Sequence, residues 1–128
     1  MNNGKDKIIL FTRYPAPGKV KTRLATDLGD KAAAKLQELM AGWAVLNCRC
    51  YARRFDIDLE VHFDGASKGQ MRQWLGRNLE FVQQSSGTLG DRMQNAFEQS
   101  FRQGCRRVVL IGSDCPQVDE KTLSEAFG

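Results

Sequence analysis

The sequence has little of several residue types that commonly build functional sites. Its one histidine, His62, is far from its four cysteines, and those cysteines form no CxxC pair. This spacing argues against a zinc site and against a dithiol redox motif, so the cysteines are expected mostly in the core. His62 sits in a strand-like run, which favours a structural histidine over a catalytic one. No apolar run approaches the roughly 20 residues of a membrane span, so none is expected.

The length and the N-terminal residues bound the protein class. A chain of 128 residues is long enough for one domain with a genuine core. The first residues, MNNGKDKIILF, lack the apolar core and the small-residue cleavage site of a secretory signal. A single α/β domain over residues 1–128 and a cytoplasmic location are therefore the expectations.

Positive charge is in excess and is unevenly distributed. The formal net charge is +4, and one basic group lies within residues 13–23 while a second comprises Arg49, Arg53 and Arg54. The second group ends a long helical pattern, where cations complement the helix dipole. The first group indicates an anionic partner. Aromatic residues do not interleave with the basic ones as stacking platforms would, so nucleic acid is not expected.

Hydrophobic periodicity predicts four strands that alternate with four helices. The long helix, from residue 30 to about 55, is expected to pack through Leu36, Leu39, Met40, Trp43, Leu46 and Cys50. Strand 57–63 alternates strictly, which predicts a half-exposed strand or one near an edge. Strand 106–112 contains VVLI, which predicts a central strand covered on both faces. A strand is also expected over residues 79–83, and the short apolar run at 7–13, followed directly by turn residues, predicts a buried strand.

Capping signals place the other three helices. Ser67 with Gln70 forms a predicted capping box, Thr88 is the predicted cap of a helix running to about Gln103, and Asp119 begins the last helix. Val118 and Leu123 are spaced for a hydrophobic staple on that helix. The alternating order predicts an α/β fold, a doubly wound, mainly parallel sheet with helices on both faces. Ligands bind such sheets beyond the carboxyl ends of the strands.

The loop after the first strand has the chemistry of an anion site. Gly18 permits unusual backbone angles, and a short helix predicted from Lys19 would direct free N–H groups into the cleft. Lys21 and Arg23 add full charges suited to phosphate oxygens. This is no Walker A loop, because Arg13 stands where its first glycine would be, and no GxGxxG fingerprint occurs either. A solvated basic surface is the alternative interpretation.

Two further loops follow predicted strands. Asp114, just after the most apolar strand, is well placed to hold Mg²⁺ or Mn²⁺, although an Asx-type turn would use the same residue. In the loop before the third helix, Gly87 and Gly90 would let the backbone approach a ligand. Arg92 would reach a phosphate or pair with a nearby carboxylate. A plain loop with a capped helix would look similar.

Three motifs together resemble the bacterial arsenosugar-biosynthesis-type glycosyltransferases of the nucleotide-diphospho-sugar transferase superfamily. Pro-x-Pro-Gly-x-x-Lys-Thr-Arg-Leu appears as residues 15–24, Gly-x-Leu-Gly-x-Arg-Met as 87–93, and Gly-x-Asp-x-Pro as 112–116. The resemblance implies a GT-A-like fold, a phosphate loop that includes Arg13, Thr22 and Arg23, and a metal carboxylate at Asp114. Family members continue well beyond Gly128, so the acceptor-binding portion is expected outside this sequence.

The leading hypothesis is therefore metal-dependent glycosyl transfer from a nucleotide-diphospho-sugar to a small-molecule acceptor. The alternatives are a nucleotidyltransferase that uses an NTP, as in guanylyl transfer, and a non-catalytic nucleotide-binding fragment. No catalytic base is assigned. A four-stranded sheet would leave an edge that self-association into a homo-oligomer could cover.

Overall fold

The computed structural model describes residues 4–15, 29–113 and 120–128. Four strands and four helices alternate along the chain. The strands are β1 (Asp6–Arg13), β2 (Asp58–Asp64), β3 (Glu80–Gln83) and β4 (Arg107–Gly112). The helices are α1 (Asp30–Phe55), α2 (Lys68–Leu75), α3 (Leu89–Arg102) and α4 (Glu120–Phe127). These four strands and four helices were predicted, with boundaries within one or two residues of the observed ones, while the short helix predicted from Lys19 lies outside the described residues.

The four strands form one parallel sheet in the order β3-β2-β1-β4. The chain moves outward from β1 through β2 to β3, then crosses back to the far side of β1 as β4. The winding therefore reverses between β1 and β4. The predicted doubly wound α/β fold is confirmed.

The core lies on both faces of β1. On one face Ile8 packs with residues of α1 and α4, including Cys48 and Leu123. On the other face Ile9 packs against Ala96 of α3. Helices on both faces were predicted, and the alternation of side chains along β1 explains why one strand can serve both.

The buried face of α1 differs from the predicted one. Leu39, Trp43 and Leu46 are 59%, 58% and 54% exposed, and Cys50 is also exposed. The face against the sheet is instead rich in small residues: Ala33, Ala34, Gln37, Ala41, Ala44, Val45, Cys48, Tyr51 and Ala52. Alanine fills little volume, so this face brings the helix backbone close to the sheet. Periodicity read from the larger apolar residues selected the wrong side of the helix.

One prediction about strand position is confirmed and one is wrong. β2 lies beside the edge strand β3, and four of its seven residues are only partly buried, as expected for a half-exposed strand or one near an edge, although Val61, His62 and Phe63 are buried in succession. β4 is an edge strand among the described residues, and its VVLI run is only partly buried. The most buried strand is β1, where six consecutive residues are buried. The short apolar run of residues 7–13 predicted a buried strand there, and this prediction is confirmed.

The predicted helix caps are present on α2 and α3. Ser67 and Gln70 make both hydrogen bonds of a capping box, and Thr88 does the same with Asp91. Leu123 is fully buried, but Val118, its predicted staple partner, and Asp119 lie outside the described residues. Across the described parts of the chain, no helix is both long enough and apolar enough to cross a membrane.

A buried ionic network joins β1, β2 and α3. The ammonium group of Lys7, with no exposed surface, donates to Glu60 and Gln103 at 2.8 Å each and to Ser100 at 3.3 Å. His62 is buried, lies 2.9 Å from Glu60 through Nε2 and stacks on Phe11. Burial acts to raise the pKa of Glu60, but hydrogen bonds from His62 and Lys7 outweigh it and lower that pKa. His62 is thus a structural histidine, as predicted.

Candidate functional site at the carboxyl edge of the sheet

The carboxyl ends of the parallel strands bring several predicted site residues to one edge. Arg13 ends β1, Arg92 lies in the first helical turns of α3, and Gly87 and Gly90 flank the start of that helix. The structure places these four residues. The other predicted ligands lie outside the described residues, in segments that follow β1 and β4: Gly18, Lys21, Thr22, Arg23 and Asp114.

Two guanidinium groups share one carboxylate at this edge. Nη1 of Arg92 lies 3.1 Å from Oδ2 of Asp64, the last residue of β2, and Nη1 of Arg13 lies 4.0 Å from the same oxygen. Arg92 is also held by the carbonyl oxygen of Gly87, which accepts from Nε at 3.1 Å. The side chain of Arg13 is 52% exposed. The pair therefore carries one positive charge in excess of Asp64.

Gln84 connects this ion pair to the sheet. Its Oε1 accepts from Arg92 at 3.2 Å, while its Nε2 donates to the carbonyl oxygens of His62 at 3.0 Å and Thr12 at 3.3 Å. Gln84 thus fixes the spacing of the strand ends. Sequence reasoning assigned no role to Asp64 or Gln84. Their positions directly after two parallel strands were the available signal.

The two glycines of the α3 loop differ in what they do. Gly87 has φ of +110°, and a Cβ there would lie 2.7 Å from Oδ2 of Asp91, the carboxylate that closes the capping box. Its glycine identity is thus explained by the cap. At Gly90 the nearest atom to an added Cβ would be Oγ1 of Thr88, at 3.8 Å, so the helix alone does not require glycine there. Contact of either residue with a ligand stays a prediction.

A cluster of buried polar side chains marks the point where the winding reverses. Oγ of Ser113 donates to Oγ1 of Thr12 at 2.9 Å, joining the ends of β4 and β1. Nε2 of Gln37 lies 3.4 Å from Ser113 Oγ and donates to the carbonyl oxygen of Arg13 at 3.3 Å. All three polar side chains are at most 4% exposed. The cluster fixes the two strand ends from which the predicted phosphate and metal loops leave.

The described residues do not supply a metal site by themselves. Outside the gaps at 16–28 and 114–119, the described parts of the chain contain no group of three or more His, Cys, Asp or Glu side chains able to hold an ion. The carboxylate at this edge, Asp64, is engaged by Arg92. Asp114, the predicted metal ligand, lies outside the described residues.

Comparisons with known proteins bear on this edge. A family model described as "Uncharacterized protein conserved in bacteria (DUF2064)" matches residues 45–128. Among solved structures, the chain is similar to a "putative nucleotide-diphospho-sugar transferase" from Desulfovibrio desulfuricans G20, with 31% identity and a TM-score of 0.79. That match covers 95% of this chain and 52% of the other, so this chain spans about half the length of that relative. No curated protein matches the chain.

These findings confirm the predicted resemblance to nucleotide-diphospho-sugar transferases and the fold that it implied. The matched family model covers well over half of the sequence, from the middle of α1 to the last residue. The chain belongs to the bacterial family DUF2064.

Proposed function

We propose that this chain forms the nucleotide-binding half of a glycosyltransferase that uses a nucleotide-diphospho-sugar. The observation that carries the proposal is the likeness to a putative nucleotide-diphospho-sugar transferase over 95% of the chain. The surplus guanidinium charge at the carboxyl edge supports it, because this edge, beside the reversal point, is where doubly wound sheets bind ligands.

Arg13 and Arg92 have different roles in the proposed site. Arg92 is fixed by Asp64, Gln84 and the backbone of Gly87, so it supplies a positioned charge. Arg13 is half exposed and lies at the 4.0 Å limit of its ion pair, so its guanidinium is free to turn toward a phosphate. Arginine suits this role because its planar fork donates to two phosphate oxygens at once.

The loop between β1 and α1 supplies the remaining phosphate contacts in this proposal. Lys21 and Arg23 would bind the diphosphate, with Gly18 and Thr22 contributing backbone and hydroxyl contacts. Cations placed where charge grows on a departing diphosphate stabilise the transition state more than the bound donor. Gly87 and Gly90 would let the backbone near α3 approach the nucleotide closely.

A divalent cation completes the proposed site. Asp114 follows β4 by two residues and would bind Mg²⁺ or Mn²⁺, which prefer oxygen ligands. When bound, the ion would neutralise charge on the diphosphate. The acceptor, a small molecule, would bind to residues that correspond to the part of the relative outside the match. The same proposal includes that the protein is an active enzyme and that it works in the cytoplasm.

Product analysis separates this reaction from its competitors. The chain, with Mn²⁺, is incubated with UDP- and GDP-sugars and in parallel with NTPs. Release of UDP or GDP from a sugar donor, lost in Arg23→Ala and kept in Arg54→Ala, supports the proposal. Pyrophosphate released from an NTP would identify a nucleotidyltransferase instead. Nucleotide binding without turnover in a protein extended to the relative's full length would leave a binding module.

A further inference from the structure

An open cavity lies at the opposite edge of the sheet from the proposed nucleotide site. It has a volume of about 430 Å³ and is bordered by the end of α1, the start of β2 and the segment that enters β3. This size falls in the range of about 300–1,000 Å³ that is typical of small-molecule sites. None of the predicted phosphate or metal residues lines it.

Three arginines from two parts of the chain line this cavity. Arg49 and Arg53 lie one helical turn apart on the same face of α1, and Arg77 comes from the segment after α2. Among the described residues, no ion pair or hydrogen bond engages these three guanidinium groups. The dipole of α1 accounts for a cation in its last turn, as at Arg53, but not for Arg77, which lies outside that helix.

The charge of the cavity wall is positive after its internal pairs are counted. Two carboxylates, Asp58 and Glu80, also border the cavity. The ammonium group of Lys5 lies 3.6 Å from Asp58 and 3.3 Å from Asp56, so it compensates only part of the charge of Asp58. Three guanidinium groups are thus set against two carboxylates, which leaves the wall with at least one positive charge in excess. An anion would be attracted to this wall.

The remaining lining residues indicate what else the anion carries. Ile57, Leu59 and Leu79 form an apolar surface, while Asn78 and the two carboxylates offer hydrogen-bond acceptors. A sugar ring presents hydroxyl groups to acceptors and C–H groups to apolar side chains. We propose that this cavity binds a phosphate ester of a polyhydroxylated molecule, with its phosphate on Arg49, Arg53 and Arg77 and its hydroxyl groups on Asp58, Asn78 and Glu80.

This site is distinct from the proposed nucleotide site. β2 runs from Asp58 at the cavity to Asp64 at the carboxyl edge, and six steps of about 3.3 Å each separate the two by roughly 20 Å. A single small ligand therefore cannot occupy both sites. The two proposals can fail independently.

The test is titration of glucose 6-phosphate, inorganic phosphate and glucose into the ¹⁵N-labelled chain, followed by NMR. We expect saturable shifts at residues 49–58 and 77–80 with glucose 6-phosphate, weaker binding of phosphate and none of glucose. Arg53→Ala and Arg77→Ala should each weaken binding about tenfold or more, because each removes a charged hydrogen bond. Arg54→Ala is the matched control, since Arg54 is adjacent but contacts the Phe55 ring instead of lining the cavity.

Several results would overturn the proposal. Shifts confined to residues 62–65 and 84–92 would place the ligand at the carboxyl edge, and equal losses in Arg54→Ala and Arg53→Ala would show unspecific charge attraction. A titration that does not approach saturation at about 10 mM ligand would also refute the proposal, because the Kd would then lie above that concentration. The dispersion of each variant's spectrum reports whether it is folded. UDP binding is measured on the same variants. It shows whether the nucleotide site is affected, so failure of this proposal can be told from failure of the nucleotide proposal.

Discussion

Arg92 lies in the first turn of α3, and its Nη1 is 3.1 Å from the carboxylate of Asp64 at the end of β2. The sequence separation is 28 residues, and Gln84 touches the same guanidinium from a third element. The hydrogen bonds of Arg92 and Gln84 thus hold the ends of β1, β2 and β3 in fixed positions relative to one another. A phosphate that binds there meets an arginine already held in place, so less conformational entropy is lost on binding.

Arg92→Lys tests whether this fixed fork matters for ligand binding. Lysine keeps the charge but cannot contact Asp64, Gln84 and Gly87 together, so UDP affinity should fall about tenfold. The unfolding free energy should fall by less than about 1 kcal/mol, because both partners of the pair are about one-third exposed. Calorimetry and urea unfolding measure the two quantities. Unchanged UDP affinity, alongside the control Arg102→Lys, would exclude a role for Arg92 in binding.

Gly87→Ala and Gly90→Ala form a matched pair in one loop. Alanine at Gly87 must adopt φ of +110° and clash with the Asp91 cap, so stability should fall by about 1–3 kcal/mol. Alanine at Gly90, inside the first turn of α3 with space around it, should raise stability by about 0.5–1 kcal/mol. Thermal unfolding distinguishes them. Equal effects of the two changes would contradict the capping role given to Gly87.

Removing one partner of the buried Lys7–Glu60 ion pair should destabilise the protein more than removing both charges. Lys7→Met leaves the Glu60 carboxylate without its ammonium partner and should lower the unfolding free energy by about 3–5 kcal/mol. Adding Glu60→Gln should recover part of that loss, since the buried charge is then removed. Lys5→Met, which breaks only exposed pairs, is the control and should change stability slightly. A double variant that is less stable than Lys7→Met would contradict the pairing.

Trp43→Gln and Ala44→Leu test which face of α1 is buried. Trp43 is 58% exposed, so its replacement should change the unfolding free energy by no more than about 0.5 kcal/mol. Ala44 is 1% exposed against Leu10 and Leu59, and a larger side chain there should cost about 1–3 kcal/mol. Urea unfolding of both variants decides the matter. A larger loss of stability in Trp43→Gln than in Ala44→Leu would mean that the face predicted from the larger apolar residues is the buried one.

Element order, fold class and helix caps were predictable because they depend on local signals. The Thr88 and Ser67 caps follow from residue type at fixed spacing. Strand position was predicted for the buried β1 and for β2 near an edge, but not for β4, which was expected at the centre of the sheet and lies at its edge among the described residues. The VVLI run of β4 is more apolar than β1, but β1 contains Lys7, whose burial depends on Glu60 at a distance of 53 residues. An ion pair between residues so far apart in the sequence does not affect the hydrophobic periodicity of either strand.

The candidate site was predictable in its residue types and only partly in its contacts. Arg92 was expected to meet either a phosphate or a carboxylate, and in the structure it contacts a carboxylate. Asp64 and Gln84 were missed because a single polar residue after a strand has many uses. Their role appears only when parallel pairing brings their strand ends beside Thr12. The roles of Lys21, Arg23 and Asp114 stay predictions.

The most direct test of the proposed site is calorimetric titration of UDP and GDP into the protein, with and without Mn²⁺, repeated on Asp114→Ala. The account predicts binding of one nucleoside diphosphate that requires Mn²⁺ in the native chain and is lost in the variant. Binding of equal strength without metal, or unaltered by Asp114→Ala, would contradict the metal site. No binding under any condition would mean that the chain has the fold of nucleotide-diphospho-sugar transferases without their donor site.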